Sequence, residues 1–135
     1  MSQKSATIAV IHNNKVLLLK RGKTAPWQPE KFCLPGGGME NDESIIDAAT
    51  RECCEETGLC LNQEPIGTIN VQYNNGYSKI VCFCTIDSPK VTLNFEHSEY
   101  IWADFSQCVD MYSNKVLVPR LFYVLKCLLK NNLIS

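Results

Sequence analysis

β-branched and aliphatic residues crowd two early stretches, Ala6 to His12 and Lys15 to Lys20. Such runs predict strands. Asn13-Asn14 between them tolerates the positive φ of a tight turn, so the two are expected as a hairpin. Arg21 to Phe32 carries Gly22, Pro26 and Pro29 and reads as a loop. Cys33-Leu34 leads from it into Pro35-Gly36-Gly37-Gly38, where the backbone can turn sharply or approach a ligand closely. Ser44 to Thr57 has no Gly or Pro, consists mostly of good helix formers, and is followed by Gly58 where a left-handed cap belongs. A helix is predicted there. Pro65 to Tyr73 and Tyr77 to Ile86 flank Asn74-Asn75-Gly76, and the Asn-Gly step signals a second hairpin. Glu99 to Asp104 adds a strand with Tyr100 and Trp102 alternating, and Pro119 to Leu129 a helix with Pro in its first turn. Strand hairpins with one helix between them and one at the end imply an α+β architecture, helices packed on a mixed sheet.

Composition narrows the function classes. A chain of 135 residues buries one ordinary core, so one domain spanning 1–135 is expected. Hydrophobic residues at 45% and charged residues at 20% exclude a disordered chain. A net charge of -1 leaves no surplus of Lys and Arg for a run of phosphates, which argues against long nucleic acid but not against a small phosphorylated ligand. The apolar run from Leu121 to Leu129 is interrupted by Lys126, and Met1-Ser2-Gln3-Lys4 shows no signal-peptide pattern. No membrane partner and a cytoplasmic location are therefore expected. The cysteines, Cys33, Cys53, Cys54, Cys60, Cys82, Cys84, Cys108 and Cys127, include no C-x-x-C pair. They are expected as reduced thiols, mostly small core residues, with no zinc site.

Chemistry concentrates on the central helix. At 3.6 residues per turn, Glu52, Glu55 and Glu56 fall at i, i+3 and i+4 on one face, with Ala48 one turn earlier. Ile46, Ala49 and Cys53 form an apolar stripe expected to pack on the sheet. Like charges at these spacings cost a few tenths of a kcal/mol per pair, and Arg51 offers one positive charge against three negative ones. A divalent ion bound by oxygen would supply the rest, and carboxylates select Mg2+ or Mn2+ over zinc. Taken alone, Glu-x-x-Glu-Glu more often marks a solvated acidic face. The glycine run just before the helix changes that balance, because it brings backbone groups toward the carboxylates.

Gly37, Glu43 after five residues, and Arg51-Glu52-Cys53-Cys54-Glu55-Glu56-Thr57-Gly58-Leu59 after seven more resemble the Nudix box without a gap. Chance agreement at its fixed positions is on the order of 10⁻⁹ per starting point, if each residue type has its average usage. Cys53 departs from the larger aliphatic residue usual there, which concerns packing and not chemistry. The opening hairpin, the approach from Phe32 to Gly37, and Glu96 to Trp102 are also similar to the family.

The resemblance implies a Nudix-type α/β/α sandwich and a pyrophosphohydrolase, with Glu52, Glu55, Glu56 and the Gly37 carbonyl as metal ligands. Glu55 is the expected general base, with Glu96 or Glu99 on a later loop as alternatives. Arg51 and Glu43 are expected to orient those carboxylates, and Arg21 to face the substrate phosphates. Trp27, and with less support Tyr73 and Tyr77, could stack on a base, although a Trp at the edge of the core is the simpler reading. The expected partner is a small nucleotide-like molecule. The region Tyr73-Asn74-Asn75 lacks a Pro common in ADP-ribose hydrolases, and Tyr77 is a weak sign of a dinucleoside polyphosphate hydrolase. Elimination and small size favour a nucleoside triphosphate, cut to monophosphate and pyrophosphate. ADP-ribose and dinucleoside polyphosphate hydrolysis, and a nucleotide-sensing module without turnover, are the alternatives. The stripe Leu121, Phe122, Leu125 and Leu128 reads as core or as a homodimer surface.

Overall fold

The computed structural model describes residues 3–135, leaving Met1 and Ser2 outside. Its elements are β1 (Ser5–His12), β2 (Lys15–Arg21), β3 (Phe32–Cys33), β4 (Gly36–Gly38), α1 (Ile45–Thr57), β5 (Gly67–Gln72), β6 (Ser78–Thr85), β7 (His97–Ala103), α2 (Phe105–Ser113) and α3 (Leu121–Lys130). The expected hairpins form. Asn13 and Asn14 adopt φ of 51° and 61°, and Gly76 adopts 84°, as their turns require.

The sheet is mixed, because β1 runs parallel to β6 while its other pairings are antiparallel. β7 pairs along one edge of β2 from Val16 to Arg21. On its other edge β2 meets β1 only at Val16 and Lys15, next to the turn, and meets β3 at Leu19 and Lys20. β1, for its part, pairs with β4 from Ser5 to Thr7. The first hairpin therefore splays open, and residues 32–38 enter the gap as a wedge. The Ile8 amide donates to the Pro35 carbonyl at 3.0 Å and stitches the wedge in place.

β1 and β2 are buried on both faces, which is why they read as continuous apolar runs. Ile8, Val10, Leu17 and Leu19 pack with Ala48, Ala49 and Cys53 of α1. Ala9, Ile11, Val16 and Leu18 pack with Leu121, Val124, Leu125 and Leu128 of α3 on the opposite face. The result is the expected three-layer sandwich, with the C-terminal stripe in the core.

α1 begins at Ser44, whose Oγ accepts from the Asp47 amide, and ends at Gly58 with φ 74°. Several expectations need correction. Ile46 is 38% exposed, while Ala48 is fully buried, so the packed stripe lies closer to the acids than a simple division of faces suggests. The residues from Phe105 to Ser113 form a helix that the sequence reading missed, although Asp104 and Gln107 make a reciprocal capping box that was legible there. α3 starts at Leu121 and not at Pro119, because Arg120 takes a left-handed φ of 71° that cannot continue a helix. Cys54 and Cys60 are joined as a disulfide, against the expectation of reduced thiols throughout. Cys33, Cys53, Cys82, Cys84 and Cys108 are free and buried, as expected of small core residues. Among the described residues, no helix is long and apolar enough to cross a membrane.

Gly58→Ala tests the α1 terminus in isolation. The atom nearest an added Cβ would be 3.5 Å away, so the penalty is conformational and not steric. A left-handed L-residue costs about 1 kcal/mol, and the melting temperature should fall by roughly 3–5 °C. An unchanged melt would refute the cap.

Candidate active site

Arg51 organises the box. Its Nε and Nη2 donate to Glu43 Oε2 and Oε1 at 2.8 and 3.0 Å, a two-pronged pairing, while Nη2 also reaches the Gly38 carbonyl at 3.1 Å. Nη1 donates to Glu52 at 3.0 Å and to Glu55 at 3.5 Å. One side chain thus ties α1 to the loop between Gly38 and Glu43. The guanidinium, helped by the Glu40 amide, holds the Glu43 carboxyl at about 2, well below its ordinary 4.5.

Gly37 faces Glu52 so closely that an added Cβ would lie 2.8–2.9 Å from its carboxylate atoms and would displace that carboxylate. Glu56 is 2% exposed, and its Oε1 accepts from the Gly36 amide at 3.2 Å. Burial, reinforced by the adjoining Glu52 carboxyl, pushes Glu56 up to about 9. Two acids are packed against one glycine wedge, with Arg51 touching Glu52 alone. Such a pair suits a hard divalent cation, which would remove the cost of their proximity.

The helix wheel put all three acids on one outward face, and this is corrected. Glu56 lies on the buried side, Glu52 at the boundary, and Glu55 in solvent with 54% of its side chain exposed. Glu52, Glu56 and Gly37 come together, whereas Glu55 is held away at Arg51. Among the described residues, no three His, Cys, Asp or Glu side chains already converge as a ligand set. Glu55 would have to leave Arg51 to complete one.

Beside the wedge opens a cleft of about 360 Å³, within the size range of small-molecule sites. Gly36, Gly37, Gly38 and Glu56 line it, together with Arg21, Trp27, Tyr73 and Glu96. Arg21 donates from Nε to the Trp27 carbonyl at 2.7 Å and lies 5.4 Å from the Trp27 ring centre. Tyr77 is 62% exposed and Glu99 approaches Lys20 at 3.8 Å; neither lines the cleft, so Glu96 is the later-loop acid that does.

Three cleft residues were missed. Lys79 is an inward position on β6, on the same face as Val81, and a charge on a core-facing register was the available signal. Arg120 had no signal, since its placement depends on the left-handed break before α3. His97 is 7% exposed with Nδ1 lacking a hydrogen-bond partner among the described residues, a deficit worth about 1–3 kcal/mol.

Fold and site together define a class: an α/β/α sandwich in which a glycine wedge and an acidic helix share a cleft suited to an anionic ligand and a divalent cation. A model of the NUDIX domain matches residues 1–120, and the chain belongs to the Nudix family. It is 31% identical over 117 residues to nucleoside diphosphate-linked moiety X motif 6 of Xenopus laevis, covering 80% of this chain and 52% of that protein. It is 43% identical over 54 residues to an m7GpppN-mRNA hydrolase of Danio rerio, covering 40% of this chain and 18% of the other. The chain thus spans about half, or less, of the length of these curated relatives. The crystal structure of a MutT protein from Methanosarcina mazei Go1 superposes with a TM-score of 0.66 at 27% identity, covering 88% of this chain and 86% of that one. Nudix proteins generally use divalent metals.

The Glu43–Arg51 pairing predicts an acid-sensitive step in stability. A depressed carboxyl contributes fully above its ordinary value near 4.5, and the contribution fades as pH falls toward about 2. Wild type should melt higher than Glu43→Gln near neutrality, and the gap should close across that window. A constant gap would show that the pairing does not carry the difference.

Proposed function

We propose that this chain is a Mg2+- or Mn2+-dependent pyrophosphohydrolase that cuts the diphosphate linkage of a nucleoside-diphosphate-linked compound. The observation that carries this reading is the Glu52–Glu56 pair, pressed against Gly36 and Gly37, with Glu56 and both glycines lining the cleft. Those two carboxylates, the Gly37 carbonyl and, once released from Arg51, Glu55 would hold the metal. When bound, such an ion would neutralise phosphate oxygens and lower the pKa of a water, so that loss of a proton makes it a nucleophile.

The chain's own groups do the rest. Arg51 fixes Glu52 against the wedge. Glu55 is exposed, reaches solvent, and accepts the proton of the attacking water; Glu96, within the cleft, is the alternative acceptor. Arg21 donates to the phosphate oxygens and lowers their repulsion of the nucleophile. The anhydride is common to a nucleoside triphosphate, expected from the sequence, and to substrates such as the capped mRNA for which the Danio rerio relative is named. They differ in what lies beyond the scissile linkage. A sensor without turnover is the weaker reading, because each acidic position of the box and Arg51 are intact.

Adding Mg2+ or Mn2+ should raise the melting temperature of wild type, and Glu56→Gln should abolish most of that rise. Turnover of a nucleotide panel should require the metal. Glu55→Gln should reduce kcat about 100-fold or more and keep the wild-type melt. Nucleotide-induced stabilisation with no product at any metal concentration would replace the hydrolase by a sensor. Unchanged kcat in Glu55→Gln would remove that residue from proton transfer.

A further inference from the structure

Outside the catalytic cleft, a second concavity of about 400 Å³ lies between the segment that leads into α3, the outer side chains of α2 and α3, and the loop residues Gln28 and Lys31. The segment is strapped to β3: the Phe32 amide donates to the Val116 carbonyl at 2.8 Å, and the Val118 amide donates to the Phe32 carbonyl at 3.0 Å. Lys31 Nζ donates to the Lys115 carbonyl and adds a further tie. The two concavities share only Val118, Pro119 and Arg120. Neither the glycine wedge nor any acid of α1 belongs to the second.

Its charge has one sign. Lys31, Lys115, Arg120 and Lys126 line it, no acidic residue does, and none of the four forms an ion pair among the described residues. In a chain of net charge -1 this is a local concentration of cations, which draws an anion to one place. Rings stand beside the charges. Phe122 stacks on Phe105 at 5.9 Å and on Tyr112 at 4.2 Å, and Tyr112 is 56% exposed, so the run of rings ends on a side chain open to solvent. Lys126 Nζ lies 5.5 Å from the Phe122 ring centre and 5.0 Å from that of Tyr123, which keeps a positive charge next to the stack. The backbone is strained at the same place. Gln28, Lys115 and Arg120 take left-handed φ of 49°, 60° and 71°, a conformation that costs an L-residue energy and that gathers where ligands are clamped.

We propose that this concavity is a second binding site, separate from the cleft, for a phosphate ester that carries one planar ring, as a nucleoside monophosphate does. The ring stacks on Tyr112, and Lys115 and Lys126 take the phosphate. The volume suits one small molecule and not a chain. With no carboxylate in its lining, the site offers no ligand set for a hard divalent ion, so the nucleotide binds there without metal and is not cut. This inference does not rest on the hydrolase reading: a protein without turnover would hold the same ligand in the same place.

The test is a titration of the full chain with AMP in the presence of a chelator, followed by the amide NMR signals of Lys115, Tyr123 and Lys126, which line the second site alone, and of Gly36 to Gly38, which line the cleft. AMP should shift the first group saturably, with a midpoint distinct from any change in the second. Ribose 5-phosphate, which lacks the ring, and adenosine, which lacks the phosphate, should each bind there about tenfold more weakly or worse. Lys115→Gln with Lys126→Gln should abolish the first group of shifts and leave the glycine signals responding as in wild type. Tyr112→Ala should weaken AMP by about tenfold and leave inorganic phosphate unaffected, while Tyr112→Phe should keep AMP binding. A preserved melt in each variant excludes loss of fold as the cause. Shifts confined to the glycines, equal binding of inorganic phosphate and AMP, or shifts that survive the double lysine variant would overturn the second site. A single shared midpoint, with both groups of shifts lost together in that variant, would make the concavity an extension of the cleft and would overturn it as well.

Discussion

Everything at this site depends on how closely the backbone at Gly37 approaches the Glu52 carboxylate. A side chain at residue 37 would push that carboxylate off the wedge, so its present seat requires that residue 37 have none. That approach requires the first hairpin to open. β1 and β2 are hydrogen-bonded next to their turn and then part, and the sheet regains its lost pairings through β3 and β4. The opened sheet is thus stabilised by the same segment that carries the site.

Arg51 and the carboxylates divide the electrostatic work. Four of its five hydrogen bonds go to the loop side or Glu52, and the longest, at 3.5 Å, restrains Glu55. Glu56 receives none of this compensation. It has one backbone amide and an acidic neighbour, in a place where water cannot screen either. A site arranged in this way is complete as a scaffold but unbalanced in charge. A cation bound there would relieve the imbalance. The cationic cleft beside it, with Arg21, Lys79 and Arg120, has the opposite sign and suits the phosphate chain.

Much of this was legible in the chain. Ser44 and Gly58 mark the limits of α1, the Asn pairs mark the turns, and the spacing from Gly37 to Leu59 marks the box. These features are local: a cap, a turn or a helical spacing acts within a few residues, so its physics is written in neighbouring letters. The capping box at Asp104 was equally local and was overlooked only because α2 is short, with one fully buried residue to set its period.

Helical spacing could say that Glu52, Glu55 and Glu56 share a side of α1, but not where that side ends and the core begins. The burial of Glu56 depends on Gly36, which lies 20 residues away in sequence and reaches it only because β4 pairs with β1. The cleft's cations are more remote still, since Lys79 belongs to β6 and Arg120 to the break before α3. The sequence by itself therefore determined the chemical groups and the local frames that carry them. Tertiary structure decided which acid is buried, which is free, and which distant side chains face the same cleft, because burial and charge balance arise only when separate segments pack against one another.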